Sequence, residues 1–485
     1  MSVAAISSRT GIEPELDALG RLETLCDPGS LELIRTDVLS GPMGEKARRG
    51  DGVLAGAGQV DGRPVFCYAQ DPSYAGGSLG EQHANTIVRV LELAGKARAP
   101  VVGFVSSGGA RMQEGVAALG GYGRIFHRIV KLSGRVPQVS IVTGLSAGGG
   151  AYSPALTDWV VMTEPSSMFL TGPGVVREAL GEDVTANELG GTRVHERNGV
   201  CHFVAPTDSG AAYLARELLG YLPRHRDAAP PRQPARPPLG YDPAVPVPED
   251  PRRVYDVRDV LRALVDGGEL LEVAAGWARN LVTGFARIDG RTVGVVANQP
   301  RYLGGIIDAD ASQKGARFVS KCNSFGIPLL VAVDTPGYMP GTRQESAGVI
   351  RFGAGFVHAF AEAEVPRITL ILRKAFGGAF ITMNSKDLGA DYVFAWPNAQ
   401  IGVMAAKSAV GIIHRRELAA AEDPDAAREE LAARYTETQL CPRAAAAGGY
   451  VDELIEPSQT RSRLVWAFRS VEPGDWTYRS AERGE

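Results

Sequence analysis

Long apolar runs are missing from this chain. Nowhere in its 485 residues does a stretch approach the roughly 18 consecutive apolar residues of a membrane-spanning helix, so no membrane span is expected. Cysteine is scarce: Cys26, Cys67, Cys201, Cys322 and Cys441 lie far apart with no C-x-x-C pair, which argues against a zinc ribbon or a disulfide framework and fits a reducing cytoplasm. The seven histidines show no H-x-x-x-H spacing, and no metal is expected. Charge of one sign is also absent. The formal net charge is −4 and no basic cluster marks a nucleic-acid surface. The opening MSVAAISSRTGIEPELD has neither a basic nor an apolar signal region, so secretion is not expected.

What the chain does have is a copy of itself. Residues 60–77 read VDGRPVFCYAQDPSYAGG, and 228 positions later residues 288–305 read IDGRTVGVVANQPRYLGG, with nine of 18 pairs identical. A period this long is a duplicated domain, because solenoid repeats run to roughly 20–50 residues. The register continues from Pro100-Val-Val-Gly-Phe-Val to Pro328-Leu-Leu-Val-Ala-Val, and with two small gaps it pairs Gly148-Gly149 with Gly377-Gly378. Residues 223–251 hold ten prolines, which lock φ and remove backbone donors, so an extended connector is expected there. The expected domains are 1–240 and 252–485, joined through 223–251. Residues 1–50 read as an irregular, partly helical cap.

Short apolar strands alternate with amphipathic helices in each half. Ile87, Val90, Leu91 and Ala94 recur at helical spacing before Pro100 and VVGFV; Phe318, Cys322 and Phe325 mark one helical face before Pro328 and LLVAV. A second strand follows in each half, QVSIVTG and RITLILR. This alternation predicts α/β layering.

Each second strand runs into glycines, Thr143-Gly-Leu-Ser-Ala-Gly-Gly-Gly150 in one half and Arg373-Lys-Ala-Phe-Gly-Gly-Ala379 in the other. Such turns either pack tightly against a neighbour or present backbone N–H groups to an anionic oxygen such as an enolate; duplication favours the second reading. Gly144-Leu-Ser146-Ala-Gly148 also matches the G-x-S-x-G elbow of serine hydrolases, but the aligned position in the other half is Ala375, so the turn is built for its backbone. Ser106-Ser-Gly-Gly-Ala-Arg-Met-Gln-Glu114 and Asp334-Thr-Pro-Gly-Tyr…Arg343-Gln-Glu345 follow equivalent strands. They suggest either a loop over a ligand or a plain turn with a solvated Arg–Glu pair. Trp396-Pro-Asn-Ala-Gln-Ile-Gly-Val-Met404 reads either as a pocket lining or as core, with core packing the favoured reading.

Motifs in this order resemble the carboxyltransferase (β) subunits of biotin-dependent acyl-CoA carboxylases, the acetyl-CoA and propionyl-CoA type: GGSLGE (76–81), SGGARMQEGV (107–116), GGAYSPALTD (149–158), TGPGVV (171–176), GEDVTANELGG (181–191), VVANQP (295–300), VDTPGYMPGTRQE (333–345), RKAFGGAF (373–380) and AWPNAQIGVM (395–404). The resemblance implies two crotonase-like domains, a homo-hexamer, and an active site shared between the N-terminal domain of one subunit and the C-terminal domain of another. It implies carboxyl transfer from carboxybiotin to the α-carbon of a short acyl-CoA. Gly148, Gly149 and Gly150 would hold the thioester oxygen, and Gly378 with Ala379 the biotin ureido oxygen. Gly108, Gly109, Ala110, Arg111 and Ile381 would bind the acyl-CoA, and Pro336, Gly337 and Phe380 the biotin. No side-chain base is implied, since the biotin nitrogen takes the α-proton. The family usually has Asp where Ser106 stands, Pro-Cys where Leu145-Ser146 stands, and often Ala at Gly150. The chain holds no Met-Lys-Met biotin signal and no ATP-binding module, so the expected partner is a biotinylated carboxylase α subunit or biotin carrier protein. A decarboxylase or transcarboxylase subunit, or an inactive scaffold, are the alternatives.

Overall fold

The structure, a computed structural model, describes residues 15–250 and 252–471. They divide into two compact units, one ending at Pro230 and the next beginning at Pro231.

The first unit is built on eight strands: β1 (Glu32–Leu33), β2 (Val53–Val60), β3 (Arg63–Gln70), β4 (Val101–Ser107), β5 (Gln138–Ala147), β6 (Trp159–Thr163), β7 (Ser167–Phe169) and β8 (Phe203–Ala205). Their spatial order is β1-β2-β3-β4-β5-β6-β8, with β7 paired to the end of β5. The first two pairings are antiparallel and the rest parallel. The second unit repeats this with β9 (Leu270–Val273), β10 (Leu281–Ile288), β11 (Arg291–Asn298), β12 (Leu329–Thr335), β13 (Arg367–Phe376), β14 (Tyr392–Ala395), β15 (Gln400–Gly402) and β16 (Glu453–Leu454). Its order is β9-β10-β11-β12-β13-β14-β16, with β15 on the end of β13.

Local chemistry explains the shared plan. Val60 pairs with Arg63 and Ile288 with Arg291, leaving two-residue turns Asp61-Gly62 and Asp289-Gly290. Both residues of each turn have positive φ, 49° and 72° in the first, 56° and 73° in the second, the left-handed geometry that matches the twist of a tight hairpin. The central strands are buried on both faces, as parallel strands covered by helices should be. In the first unit Ile87, Val90, Leu91 and Ala94 of α2 (Glu81–Ala97) are all buried, and α3 (Val116–Leu132) packs beside them with Tyr122, Ile125 and Ile129. Phe318 and Cys322 of α6 (Ala309–Ser324) and Phe356 and Phe360 of α7 (Val349–Glu362) do the same in the second.

The repeat begins earlier than the sequence suggests. Helix α1 (Ala18–Leu25) and the later α5 (Val257–Arg262) each lead to an aspartate whose carboxylate closes the hairpin turn. Asp27 accepts from the N–H groups of Asp61 and Gly62 and pairs with Arg216; Asp266 accepts from those of Asp289 and Gly290 and pairs with Arg461. Residues 18–33 are thus part of the duplicated unit rather than a separate cap, and residues 1–14 of the expected cap lie outside the described residues.

The described part of the proline-rich stretch, 223–250, has neither helix nor strand, but it is not free. The Arg226 N–H donates to Arg135 O, and further on Gln233 N–H donates to Gly290 O and Tyr241 Oη to Asp259 O. No helix among the described residues is long and apolar enough to cross a membrane.

Candidate functional site

Strand register makes the two glycine turns strict equivalents. Leu145, Ser146 and Ala147 pair with β7, and Lys374, Ala375 and Phe376 pair in the same way with β15. Gly148 and Gly377 then bend the chain with φ of 56° and 59°, a conformation that side chains rarely adopt. From these bends start α4 (Gly149–Ala155) and α8 (Gly377–Thr382). The N–H groups of Gly149 and Gly150, and of Gly378 and Ala379, lie in the first turn, where helical geometry supplies no acceptor. Gly148 differs. Its N–H already donates to Phe169 O at 3.1 Å, so it shapes the bend and is not a donor to a ligand, which corrects its assignment to the first hole.

The reason for glycine varies along the turns. A Cβ on Gly149 would lie 2.6 Å from the Tyr122 ring, and one on Gly150 would lie 3.2 Å from both Ser107 Cβ and Ser146 Oγ. Those positions are small because the protein fills the space. At Gly378 a Cβ would meet only Tyr338 Cδ2, at 3.9 Å. Nothing in its own unit demands glycine there, and the space above it is open to a ligand. Ala379 is buried and Ile381, two residues on, is half exposed at 51%.

Ser146 is fully buried and its hydroxyl donates to Gly150 O at 2.8 Å. It braces the turn, and no hydrolase nucleophile is presented.

The loops after β4 and β12 also correspond. Gly109 and Gly337 have φ of 103° and 139°, and their N–H groups donate at 3.3 Å to Ser107 Oγ and Thr335 Oγ1. Ala110 bridges to Leu79 as Tyr338 bridges to Ile307. Gly108 and Pro336 occupy the exposed first position of each loop. Phe380 is partly buried on α8.

Arg111 departs from expectation. Its guanidinium is sealed from solvent, paired with Asp51 at 2.6 Å and Glu114 at 2.8 Å, and donates to Ser78 O at 3.0 Å. The Arg–Glu pair exists, buried instead of solvated, and the guanidinium has no face left for a substrate. Glu114 also accepts from Ser40 Oγ and the Glu81 N–H, both at 2.6 Å. Burial raises the Glu114 carboxyl, but these donors and Arg111 outweigh it and hold the group below the usual range. Arg111 therefore locks the loop carrying Gly108–Ala110 onto residues 40–51 and the start of α2.

Several residues around the turns were invisible as site elements in the sequence. Tyr122 packs on Gly149 and its hydroxyl meets Ser107 Oγ at 3.0 Å. Tyr338 donates to Thr382 Oγ1. The sequence signal for Tyr338 is its place inside the VDTPGYMPGTRQE motif, which assigned it no role.

A family model, the carboxyl transferase domain, matches residues 15–478. The chain belongs to the carboxyl transferase family. It is 46% identical over 459 residues to the methylmalonyl-CoA carboxyltransferase 12S subunit of Propionibacterium freudenreichii subsp. shermanii, covering 92% of this chain and 87% of that protein. It is 48% identical over 436 residues to the propionyl-CoA carboxylase carboxyltransferase subunit of Haloferax mediterranei, covering 88% and 84%. The crystal structure of the transcarboxylase 12S hexamer with methylmalonyl-CoA and methylmalonic acid bound superimposes with a TM-score of 0.91 at 44% identity, over 95% of this chain and 91% of that one. A single-chain, multi-domain long-chain acyl-CoA carboxylase superimposes with a TM-score of 0.82 at 28% identity, over 93% of this chain and 46% of that one. Each unit has the crotonase-like α/β fold, and the chain is a carboxyltransferase subunit of the acyl-CoA carboxylase class.

Proposed function

We propose that this chain transfers a carboxyl group from carboxybiotin, borne by a partner protein, to the α-carbon of a short acyl-CoA. When bound, carboxybiotin supplies the CO2 and then a ring nitrogen able to take the α-proton. The chain's own work is to bind, orient and stabilise charge. The Gly149 and Gly150 N–H groups donate to the thioester oxygen as it gains negative charge, in a preorganised hole of the kind that contributes most in acyl chemistry. The Gly378 and Ala379 N–H groups hold the ureido oxygen, and the open space over Gly378 is the cradle such a planar group fits. Gly108, Gly109 and Ala110 line the acyl-CoA side, with Ile381 an apolar wall; Pro336, Gly337 and Phe380 line the biotin side.

The observation that carries this reading is the pairing of two equivalent bends, Gly148 at φ 56° and Gly377 at φ 59°, one for each reacting partner. The absence of an Asp, Glu or His in either turn suits a reaction whose base arrives with the biotin. The active enzyme in this proposal is a cytoplasmic homo-hexamer whose sites join the first unit of one subunit to the second of another, served by a biotinylated α subunit or carrier protein. The likeness to the 12S transcarboxylase subunit favours one second reading, the same transfer run in a transcarboxylase.

The test is carboxylation of a panel of acyl-CoAs with bicarbonate, ATP and a biotinylated carboxylase partner. Turnover is expected only when the partner is added, and robust carboxylation by the purified chain alone overturns the proposal. Transfer of a carboxyl group from one carboxylated acyl-CoA to another acceptor through a biotin carrier, with bicarbonate and ATP both omitted, selects the transcarboxylase.

A further inference from the structure

Two hydrogen bonds in series end on the second glycine turn. Tyr338 Oη donates to Thr382 Oγ1 at 3.0 Å, and Thr382 Oγ1 donates to Gly378 O at 2.9 Å. The Gly378 carbonyl and the Ala379 N–H belong to one peptide group. A hydroxyl donating to that oxygen draws electron density toward it and leaves the N–H on the far side a stronger donor, and chained hydrogen bonds polarise one another. We propose that Thr382 and Tyr338 are positioning residues of the biotin-side hole, acting through the Gly378–Ala379 peptide to fix and strengthen the Ala379 N–H. This rests on the assignment of Gly378 and Ala379 to that hole.

A threonine hydroxyl bonding four residues back is common in helices and alone says little. Three further observations single this one out. Thr382 is buried at 2% exposure, so no water competes for its hydroxyl. Its oxygen is itself the acceptor of the Tyr338 hydroxyl, which fixes the direction in which it donates. Tyr338 reaches Thr382 from the loop after β12 and also forms the near wall of the space over Gly378, 3.9 Å from where a Cβ would stand. The chain of bonds thus ties the loop expected to line the ligand to the peptide expected to bind it.

The first turn shows what the arrangement looks like without the relay. Ser153 occupies the place of Thr382, but its hydroxyl lies 3.4 Å from Gly149 O, at the limit of a hydrogen bond. The tyrosine beside that turn, Tyr122, bonds Ser107 instead. The strengthened donor is therefore a property of the second hole, which makes the two holes chemically unequal despite their common origin.

The experiment measures carboxyl transfer from methylmalonyl-CoA to biocytin, used as a free biotin probe, with the purified native oligomer. Thr382→Val should lower kcat between about 2-fold and 10-fold, a fraction of what losing a whole oxyanion donor does, with KM for methylmalonyl-CoA unchanged. Thr382→Ser should restore the rate. Tyr338→Phe should give a smaller loss, and no further loss when added to Thr382→Val, because the two act in series. Gly378→Val serves as the control for the hole itself. If Gly378→Val abolishes transfer while Thr382→Val and Tyr338→Phe keep full kcat, the relay is refuted and the hole stands. If all three keep full activity, the hole assignment fails and takes the relay with it. A loss that Thr382→Ser does not rescue, or one that tracks a drop in Tm, assigns the threonine to packing and refutes the relay. Should Thr382→Val not assemble, Tyr338→Phe and Thr382→Ser carry the same decision.

Discussion

Arg373 donates to Asp334 at 3.0 Å, with the carboxylate fully buried and the guanidinium nearly so. The equivalent pair in the first unit is Ser106 and Gly144, where a Cβ on the glycine would lie 2.6 Å from Ser106 Oγ. The backbone around both is the same: the Asp334 N–H donates to Asn298 Oδ1 as the Ser106 N–H donates to Gln70 Oε1. One half of the duplication thus holds a buried ion pair where the other holds two small, neutral residues. Replacing only one member of such a pair is what a fold tolerates badly. Asp334→Ala should destabilise the protein by about 3–5 kcal/mol, since it leaves Arg373 buried without its counter-ion. Ser106→Asp should also destabilise, because no cation waits at Gly144. Urea unfolding of the single and double variants at Asp334 and Arg373 checks this, with the double loss expected to fall short of the sum.

Glycine is required for different reasons in the two turns, and substitution should separate them. At Gly149 the added methyl group meets the Tyr122 ring at 2.6 Å, a contact no real Cβ makes, so Gly149→Ala should lower stability by roughly 1–3 kcal/mol through overpacking. Gly378→Ala has room within its own unit, with nothing nearer than 3.9 Å, and should leave Tm within a degree or two of wild type while reducing transfer. Thermal unfolding beside the methylmalonyl-CoA to biocytin assay distinguishes the cases. Equal destabilisation by both would show that the second turn is also filled by protein.

The parts of this fold that the sequence disclosed are those governed by local rules. The repeated Asp-Gly turns, the strands ahead of each glycine bend, and the equivalence of Ser146 with Ala375 all follow from residues adjacent in the chain. The local Arg111–Glu114 pair was legible, but not its burial or its long-range partner. Arg111 looked available for a substrate because its partner Asp51 is 60 positions away and nothing in local sequence points to it. The start of the repeat was hidden for another reason. Asp27 and Asp266 do the same work on the same turn, and Leu22, Leu25, Gly29 and Leu31 around the first recur as Leu261, Leu264, Gly268 and Leu270 around the second, but at an offset of 239 rather than the 228 of the hairpins, so the match falls out of register with the rest of the repeat. Gly148 was misread because whether an N–H is free depends on Phe169 from a strand further along.

The buried cluster around Arg111 should make the first unit sensitive to acid. His83 is fully buried against Gln70, and burial, reinforced by the positive charge of Arg111, pulls its pKa from 6.5 down to about 3. In the unfolded chain the imidazole takes a proton near its ordinary value, while in the folded one it stays neutral until far lower pH. Between those values the unfolded state binds more protons, so stability falls as pH falls. Glu114, held below its usual range, adds a second loss once pH drops through the carboxylate region. His83→Leu should remove the first part, on the order of 3 kcal/mol between pH 6.5 and pH 4, leaving a flatter profile in denaturant titrations. A variant whose acid slope matches wild type would place the sensitivity elsewhere.

Lys314 predicts the opposite limb. Its ammonium is buried and donates to Trp277 O at 2.8 Å and Leu281 O at 2.7 Å, two carbonyls flanking a loop in which Ala278 has a φ of 42°. Burial pulls its pKa from 10.5 to about 7, opposed by the negative charge of Glu272 and aided by the positive charge of Arg258. From pH 7 to about 10 the unfolded chain therefore carries a proton that the folded one has released, and stability rises with pH through that window. The neutral amine keeps two N–H donors, so both carbonyls remain served after the proton leaves. Lys314→Met removes the titration and both hydrogen bonds. It should lack the alkaline rise expected of wild type, so that the stability gap between the two proteins widens from pH 7 to pH 9. Guanidinium unfolding at the two pH values reads this difference. A gap that stays constant would mean that Lys314 keeps its proton, and that the strain of the loop is carried by a fully charged ammonium.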